Sequence, residues 1–249
     1  MASREKGSWW QGFFDPAMGA VLFDDGAEEA ADAEIKGLLK LTGLKPGRAL
    51  DTACGYGRHG RALAKRGWDV TGVDVMPGYL AEARRRAKAA GVAVRFKRAE
   101  LKDLRAFRGG FDLVLNLYTS FGYYPTAAAN LACLKQMAAA LKPGGWLCVE
   151  LIPRETLLKT VEPYEERPVP GGQLWEERRW LGQGRLETKV TWANGPRLRR
   201  SKSVMQTYGR ADLAALMAVA GLKDLRAHGS YQGRPFKTGG RLLMLGRRA

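Results

Sequence analysis

The chain is poor in the residues that metal and disulfide chemistry draw on. Its 249 residues include two His and three Cys. Two imidazoles give a metal site little material, so no metal is expected. The thiols, Cys54, Cys133 and Cys148, are odd in number, widely spaced and set in apolar contexts. They read as small core residues in a reducing compartment, not as a disulfide framework. No apolar run reaches membrane-spanning length. The opening residues, MASREKGSWWQGFF, lack the apolar core and cleavage site of a secretion signal, and the expected location is cytoplasmic. Internal repeats and low-complexity linkers are also missing.

Positive charge is in excess. Lys and Arg number 41 against 25 Asp and Glu, a formal net charge of +16. The excess sits mainly in the C-terminal part, and its densest cluster is Arg197, Arg199, Arg200 and Lys202. Such a balance suits nucleic acid, anionic lipid or an acidic small molecule, or simply a basic solvated surface. Hydrophobic content of 45% is ordinary for a folded protein, and the length fits one α/β domain with an insertion.

Along the chain, Trp9, Trp10, Phe13 and Phe14 make the first residues too apolar for a disordered tail. They form either a lid or part of the core. Residues 27–42 read as a helix with acidic residues at its start and Ile35, Leu38 and Leu39 on one face. An alternation follows. Strands are expected at 48–51, 69–74, 92–99, 111–116 and 146–152, with helices at 58–66, 78–90 and 127–141 between them. Near-continuous apolar strands interleaved with helices predict a Rossmann-like, mostly parallel sheet with helices on both faces. Residues 155–207 change character. Aromatics and charges alternate between turns at 170–172, 182–184 and 194–196, which predicts antiparallel strands. This β-rich part would cover the active site or form a dimer contact. A helix at 211–220 and strands at 223–227 and 241–245 complete the chain. The expected organisation is one domain over 1–249. It comprises an N-terminal helical cap (1–45), a cofactor-binding core (46–153), a β-rich insertion (154–207) and the core's final helix and strands (208–249).

The most informative stretch is ALDTACGYGRHGRAL, residues 49–63, followed by VTGVDV ending at Val75. A strand, a Gly-rich turn and a second strand closing on Asp74 suit a ribose-bearing cofactor. Gly55, Gly57 and Gly60 match G-x-G-x-x-G, which alone is compatible with NAD, FAD or S-adenosylmethionine. Asp51 ends the strand before an extended turn. It would repel a pyrophosphate but suits a cationic methionine moiety. Glu100 follows the third strand, where a carboxylate can accept the adenine amino group. There is no room for a separate dehydrogenase-sized substrate domain. These details favour S-adenosyl-L-methionine.

The segments LDTACGYGRHGRALA, VTGVDVMPGYLAEAR, RAELKDL, FDLVLNLYTSFGYY and LKPGGWLCVEL together resemble a class I S-adenosylmethionine-dependent methyltransferase of the bacterial small-molecule type. One departure is Ala53, where the family commonly has Gly. The resemblance implies roles by position. Asp51, Gly55 and Gly57 would lie along the methionine moiety, with Arg58 at its carboxylate. Asp74 would take both ribose hydroxyls, although a helix N-cap is the blander alternative for it. Val75 and Met76 would flank the adenine, and Glu100 with the Leu101 backbone would read its amino edge. Asn116 and Leu117 would meet the methionine amino group or the transferring methyl.

Methyl transfer from a sulfonium needs alignment and water exclusion more than acid catalysis. No unambiguous base stands out. Tyr118, Tyr123 and His228 are the leading catalytic candidates, with Tyr124 and Glu150 behind them. His59 reads as a packed helix residue. The aromatics of NLYTSFGYY either wall a small-molecule pocket or belong to the core. That segment lacks the Asn/Asp-Pro-Pro-aromatic loop that grips a flipped base. Its absence argues against nucleic-acid amino-methylation, and the resemblance of NLYTSFGYY to bacterial small-molecule methyltransferases implies a small-molecule acceptor, with anionic ones included. The alternatives are an RNA or DNA methyltransferase, a non-catalytic S-adenosylmethionine-binding protein, or an NAD-dependent oxidoreductase. Monomer and homodimer remain open, and no membrane partner is expected.

Overall fold

A computed structural model describes residues 13–14, 25–169 and 171–249. Its central feature is a seven-stranded sheet in the order β10-β11-β5-β4-β1-β2-β3. The strands are β1 (Arg48–Thr52), β2 (Asp69–Asp74), β3 (Val94–Arg98), β4 (Phe111–Asn116), β5 (Leu141–Leu151), β10 (Leu222–His228) and β11 (Leu242–Arg248). β1 pairs in parallel with β2 and β4, and β2 with β3 and β4 with β5 do likewise. Only β11 runs antiparallel to both of its neighbours. The mostly parallel α/β sheet expected from the apolar strand pattern is therefore present.

Alternation along the strands feeds two cores. Leu50, Val114, Leu147 and Met244 face one side and pack with Leu134 and Met137 of α4 (Ala127–Ala140) and with Met217 of α6 (Arg210–Val219). Ala49, Leu113, Leu115 and Leu245 face the other. They pack with Ile35 and Leu38 of α1 (Asp25–Thr42) and Leu63 of α2 (Arg58–Ala64). A strand covered on both faces needs apolar residues at consecutive positions, as these have. α3 (Pro77–Ala89) begins on a proline, whose fixed φ and missing N–H suit the first turn. α4 is capped by Thr126, whose hydroxyl accepts from the Ala129 N–H at 3.1 Å.

Several boundaries differ from expectation. β5 starts at Leu141 instead of 146 and takes in Lys142-Pro143-Gly144-Gly145, with a register irregularity opposite β4. α2 stops at Ala64. The strand expectation from residue 155 is corrected at its start. Arg154–Thr160 is a helix, α5, entered from Pro153 and carrying Glu155 in its first turn. The apolar spacing of a seven-residue helix is too short to be told from a strand.

The remaining strands, β6 (Tyr164–Val169), β7 (Gly172–Trp180), β8 (Arg185–Asn194) and β9 (Arg197–Gln206), form an antiparallel sheet in chain order. The turns at 182–184 and 194–196 fall where the sequence placed them, and residue 170 of the first expected turn lies outside the described residues. Registers Leu174↔Trp192, Glu176↔Val190 and Arg178↔Thr188 put these residues on one face, with Ser201 and Ser203 of β9 beside them. Phe13 packs onto that face against Val169, Leu174 and Val190. Arg197, Arg199, Arg200 and Lys202 lie on the edge strand β9, where charge discourages pairing with another sheet. Gly122 ties the loop after β4 to β9. Its carbonyl accepts from the Gln206 N–H at 2.8 Å, and a Cβ there would stand 2.3 Å from the Gln206 carbonyl oxygen.

Candidate functional site

The parallel strands end on one edge of the large sheet, where open α/β folds leave a crevice for ligands. A cavity of about 480 Å³ opens there, between the strand ends and the inner face of the antiparallel sheet.

Its floor is the turn after β1. Ala53, Gly55 and Gly57 all have positive φ, of 51°, 53° and 73°. The left-handed φ is why glycine suits position 53, and Ala53 bears a cost of roughly 1–2 kcal/mol there. Gly57 is required sterically, because a Cβ there would lie 2.8 Å from the Phe96 ring. Gly57 does not line the cavity, whereas Asp51, Ala53, Gly55 and Arg58 do. Asp51 is 2% exposed, and its Oδ2 has no hydrogen-bond partner among the described residues. Burial pushes its carboxyl up to about 6, against the lowering effects of His59, the Gly60 N–H and Arg58. Arg58 is also buried, and its Nη1 is unpartnered among the described residues. His59 lines the cavity but is tied to Glu34 Oε2 at 2.8 Å, which agrees with a packed role.

Asp74, at the end of β2, accepts from the Gly55 N–H at 2.9 Å on Oδ2 and from the Met76 N–H at 2.9 Å on Oδ1. Thus it clips the glycine turn to the start of α3 while lining the cavity. Burial raises its pKa despite those backbone donors. The clip to Gly55 was not foreseen, because it spans two separate strand ends. Val75, Met76, Glu100 and Leu101 line the same cavity, as expected by position.

Past β4, the structure separates two expected neighbours. Leu117 lines the cavity, but Asn116 does not. Asn116 is fully buried and donates from Nδ2 to Thr52 Oγ1 at 3.1 Å. Strand alternation turns it away from its neighbour. Tyr118 and Thr119 then adopt φ of 62° and 56°, two consecutive left-handed residues without a glycine. Such strain persists only where the surroundings over-determine it. Here the surroundings are Glu150, itself buried. Its Oε2 accepts from the Tyr118 N–H at 2.9 Å, and its carbonyl accepts from the Thr119 N–H at 3.1 Å. The Tyr231 hydroxyl also donates to Oε2 at 3.2 Å, and Arg241 pairs with Oε1 at 2.7 Å. Glu150 is a buried structural hub and does not line the cavity.

The roof was legible only as a β-rich segment. Glu176, Arg178, Thr188 and Ser203 point from the antiparallel sheet into the cavity, joined by Phe13 and Phe14. Arg178 is neutralised by Glu176 and by Glu165 at 2.9 Å. Tyr123 meets Phe14 edge-on at 6.1 Å, and burial and Glu176 push its hydroxyl up to about 12. Burial and the nearby Glu100 also raise Tyr124. Of the catalytic candidates, Tyr118 and Tyr123 line the cavity. His228 does not: it ends β10 and bridges to Pro235. Trp9 and Trp10 lie outside the described residues.

These residues fit S-adenosylmethionine. The unpartnered Asp51 Oδ2 and Arg58 Nη1 share one cavity and complement an ammonium and a carboxylate, the two charges of an amino-acid end. A diphosphate would meet buried carboxylates instead.

Comparison with known proteins agrees. Residues 49–145 match the family model described as a methyltransferase domain. A ubiquinone biosynthesis O-methyltransferase from Cereibacter sphaeroides is 31% identical over 153 residues, covering 59% of this chain and 59% of that protein. A dTDP-3-amino-3,4,6-trideoxy-alpha-D-glucopyranose N,N-dimethyltransferase from Streptomyces venezuelae is 32% identical over 128 residues, 51% of this chain and 50% of that one. The chain thus spans only part of these relatives' length. The crystal structure of an S-adenosylmethionine-dependent methyltransferase from Clostridium acetobutylicum superposes with a TM-score of 0.79 at 16% identity, covering 89% of this chain and 92% of that one. Residues 49–145 are thus similar to the methyltransferase-domain family, and the fold is that of a solved S-adenosylmethionine-dependent methyltransferase.

Proposed function

We propose that the chain transfers a methyl group from S-adenosylmethionine to a small-molecule acceptor, in line and mainly by proximity and desolvation. The observation that carries this is the shared cavity in which Asp51 Oδ2 and Arg58 Nη1, unpartnered among the described residues, lie together under a roof built from a separate sheet. When bound, the cofactor supplies a methyl already activated by a cationic sulfur. Asp51 and Arg58 hold its amino-acid end, and Asp74 holds the ribose. Val75 and Met76 flank the base, and Glu100 and Leu101 read its edge. Gly57 and Asn116 support this from behind the cavity wall. Phe13, Phe14 and the inner sheet face exclude water, which strengthens the remaining polar contacts. Tyr118 and Tyr123 line the cavity as the remaining catalytic candidates, and the Tyr123 hydroxyl, held protonated by burial, can orient the acceptor by hydrogen bonding.

A cavity of about 480 Å³ suits small ligands. The relatives' names, one an O-methyltransferase of ubiquinone biosynthesis and one an N,N-dimethyltransferase of a dTDP-linked amino sugar, support that class. An anionic acceptor is not required, because Arg178 and Arg241 already have carboxylate partners. Three buried, unbridged thiols support a reducing, cytoplasmic setting. The test is incubation with methyl-labelled cofactor and a fractionated metabolite extract, with bulk RNA and DNA run separately. Label in a small-molecule fraction supports the proposal. Label confined to nucleic acid, or binding of NAD in place of S-adenosylmethionine, overturns it.

A further inference from the structure

Two guanidinium groups sit over one tyrosine at the cavity wall. Arg58 lies 4.3 Å and Arg241 4.5 Å from the centroid of the Tyr118 ring. They differ in what else they hold. Arg241 is paired with Glu150, whereas Arg58 keeps a buried Nη1 with no partner among the described residues. Glu150 fixes both sides of this arrangement, binding the Tyr118 backbone N–H through Oε2 and Arg241 through Oε1. The left-handed backbone at Tyr118 and Thr119 is therefore imposed by a carboxylate that also anchors a cation over the ring. A guanidinium stacked on an aromatic ring loses torsional freedom but keeps its in-plane N–H donors for a carboxylate.

We propose that Tyr118 is a positioning residue that presents the Arg58 guanidinium to the carboxylate of the ligand's amino-acid end, with Glu150 and Arg241 holding Tyr118 in place. This rests on the cofactor reading above and deepens it. Tyr118 contributes selectivity for nucleosides that carry the amino-acid tail.

The experiment is calorimetry with two thioether nucleosides, S-adenosylhomocysteine, which has the tail, and 5′-methylthioadenosine, which lacks it. Tyr118→Leu is expected to weaken S-adenosylhomocysteine about tenfold and to leave 5′-methylthioadenosine within about twofold. Tyr118→Phe, which keeps the ring, is expected to retain both affinities. In an Arg58→Met background, Tyr118→Leu is expected to add no further loss. Equal losses for both nucleosides would mark Tyr118 as a general structural residue and overturn the proposal. Unchanged affinity, or a full additional loss without Arg58, would overturn it too. Failure of the unmutated protein to bind either nucleoside would refute the cofactor reading itself, and with it this inference; that result is read before any variant is made.

Discussion

Asp51 offers a test in which stability and binding move in opposite directions. Its carboxyl is buried, with one oxygen unpartnered among the described residues, and burial pushes it from the ordinary 3.8 up to about 6. In the unfolded chain the group ionises first. Between those two values the folded protein holds a proton that the unfolded one has lost, so stability falls as pH rises through the window. Above about pH 6 the loss is complete and amounts to ~3 kcal/mol for a span from 3.8 to about 6. Asp51→Asn keeps the shape and removes the ionisation. At pH 7.5 the variant is expected to melt higher, by up to roughly 6–12 °C for a chain of this size. Its melting temperature should lose the wild-type decline between pH 4 and 6. Binding should respond oppositely. A cationic ligand requires the ionised carboxylate, so wild-type affinity for S-adenosylmethionine rises through about pH 6 and the variant binds weakly without that rise. Differential scanning fluorimetry and calorimetry across pH 4.5–8 measure both. A variant that is no more stable at pH 7.5, or that binds the cofactor as tightly as wild type, refutes the reasoning.

Three further outcomes are expected. Asp74→Ala removes the acceptor of the Gly55 and Met76 N–H groups along with the ribose contact, and should weaken cofactor binding at least tenfold in calorimetry; unchanged binding in a folded variant contradicts the site. Ala53→Gly relieves a left-handed backbone and should stabilise the fold by about 1 kcal/mol in urea unfolding, with cofactor affinity unchanged. Cys54, Cys133 and Cys148 are buried, with thiol pKa values raised by desolvation, so a thiol reagent should react with Cys133 and Cys148 only after denaturation and with Cys54 slowly in the native protein. Cys54 lines the cavity, and bound cofactor should slow its reaction further; a rapid native phase untouched by cofactor contradicts this placement.

The sequence alone carried the parallel sheet, the glycine turn and the order of the strand ends, because these are local. A buried strand must be apolar at consecutive positions, a tight turn needs particular residues, and a carboxylate closing a strand sits at a predictable edge. Asp51, Gly55, Asp74, Glu100 and the odd Ala53 could therefore be read in place. Tertiary structure decided the rest. Only pairing across β7, β8 and β9 brings Glu176, Thr188 and Ser203 onto one face above the cavity. Arg241 reaches Glu150 and Tyr118 across 91 and 123 positions of chain, a distance over which no spacing rule operates. Asn116 and Leu117 are neighbours in sequence, yet only the packing of β4 against β1 sends one behind the wall and the other into the cavity. The left-handed Tyr118 is the extreme case: its own preferences argue against that conformation, and a carboxylate on another strand imposes it.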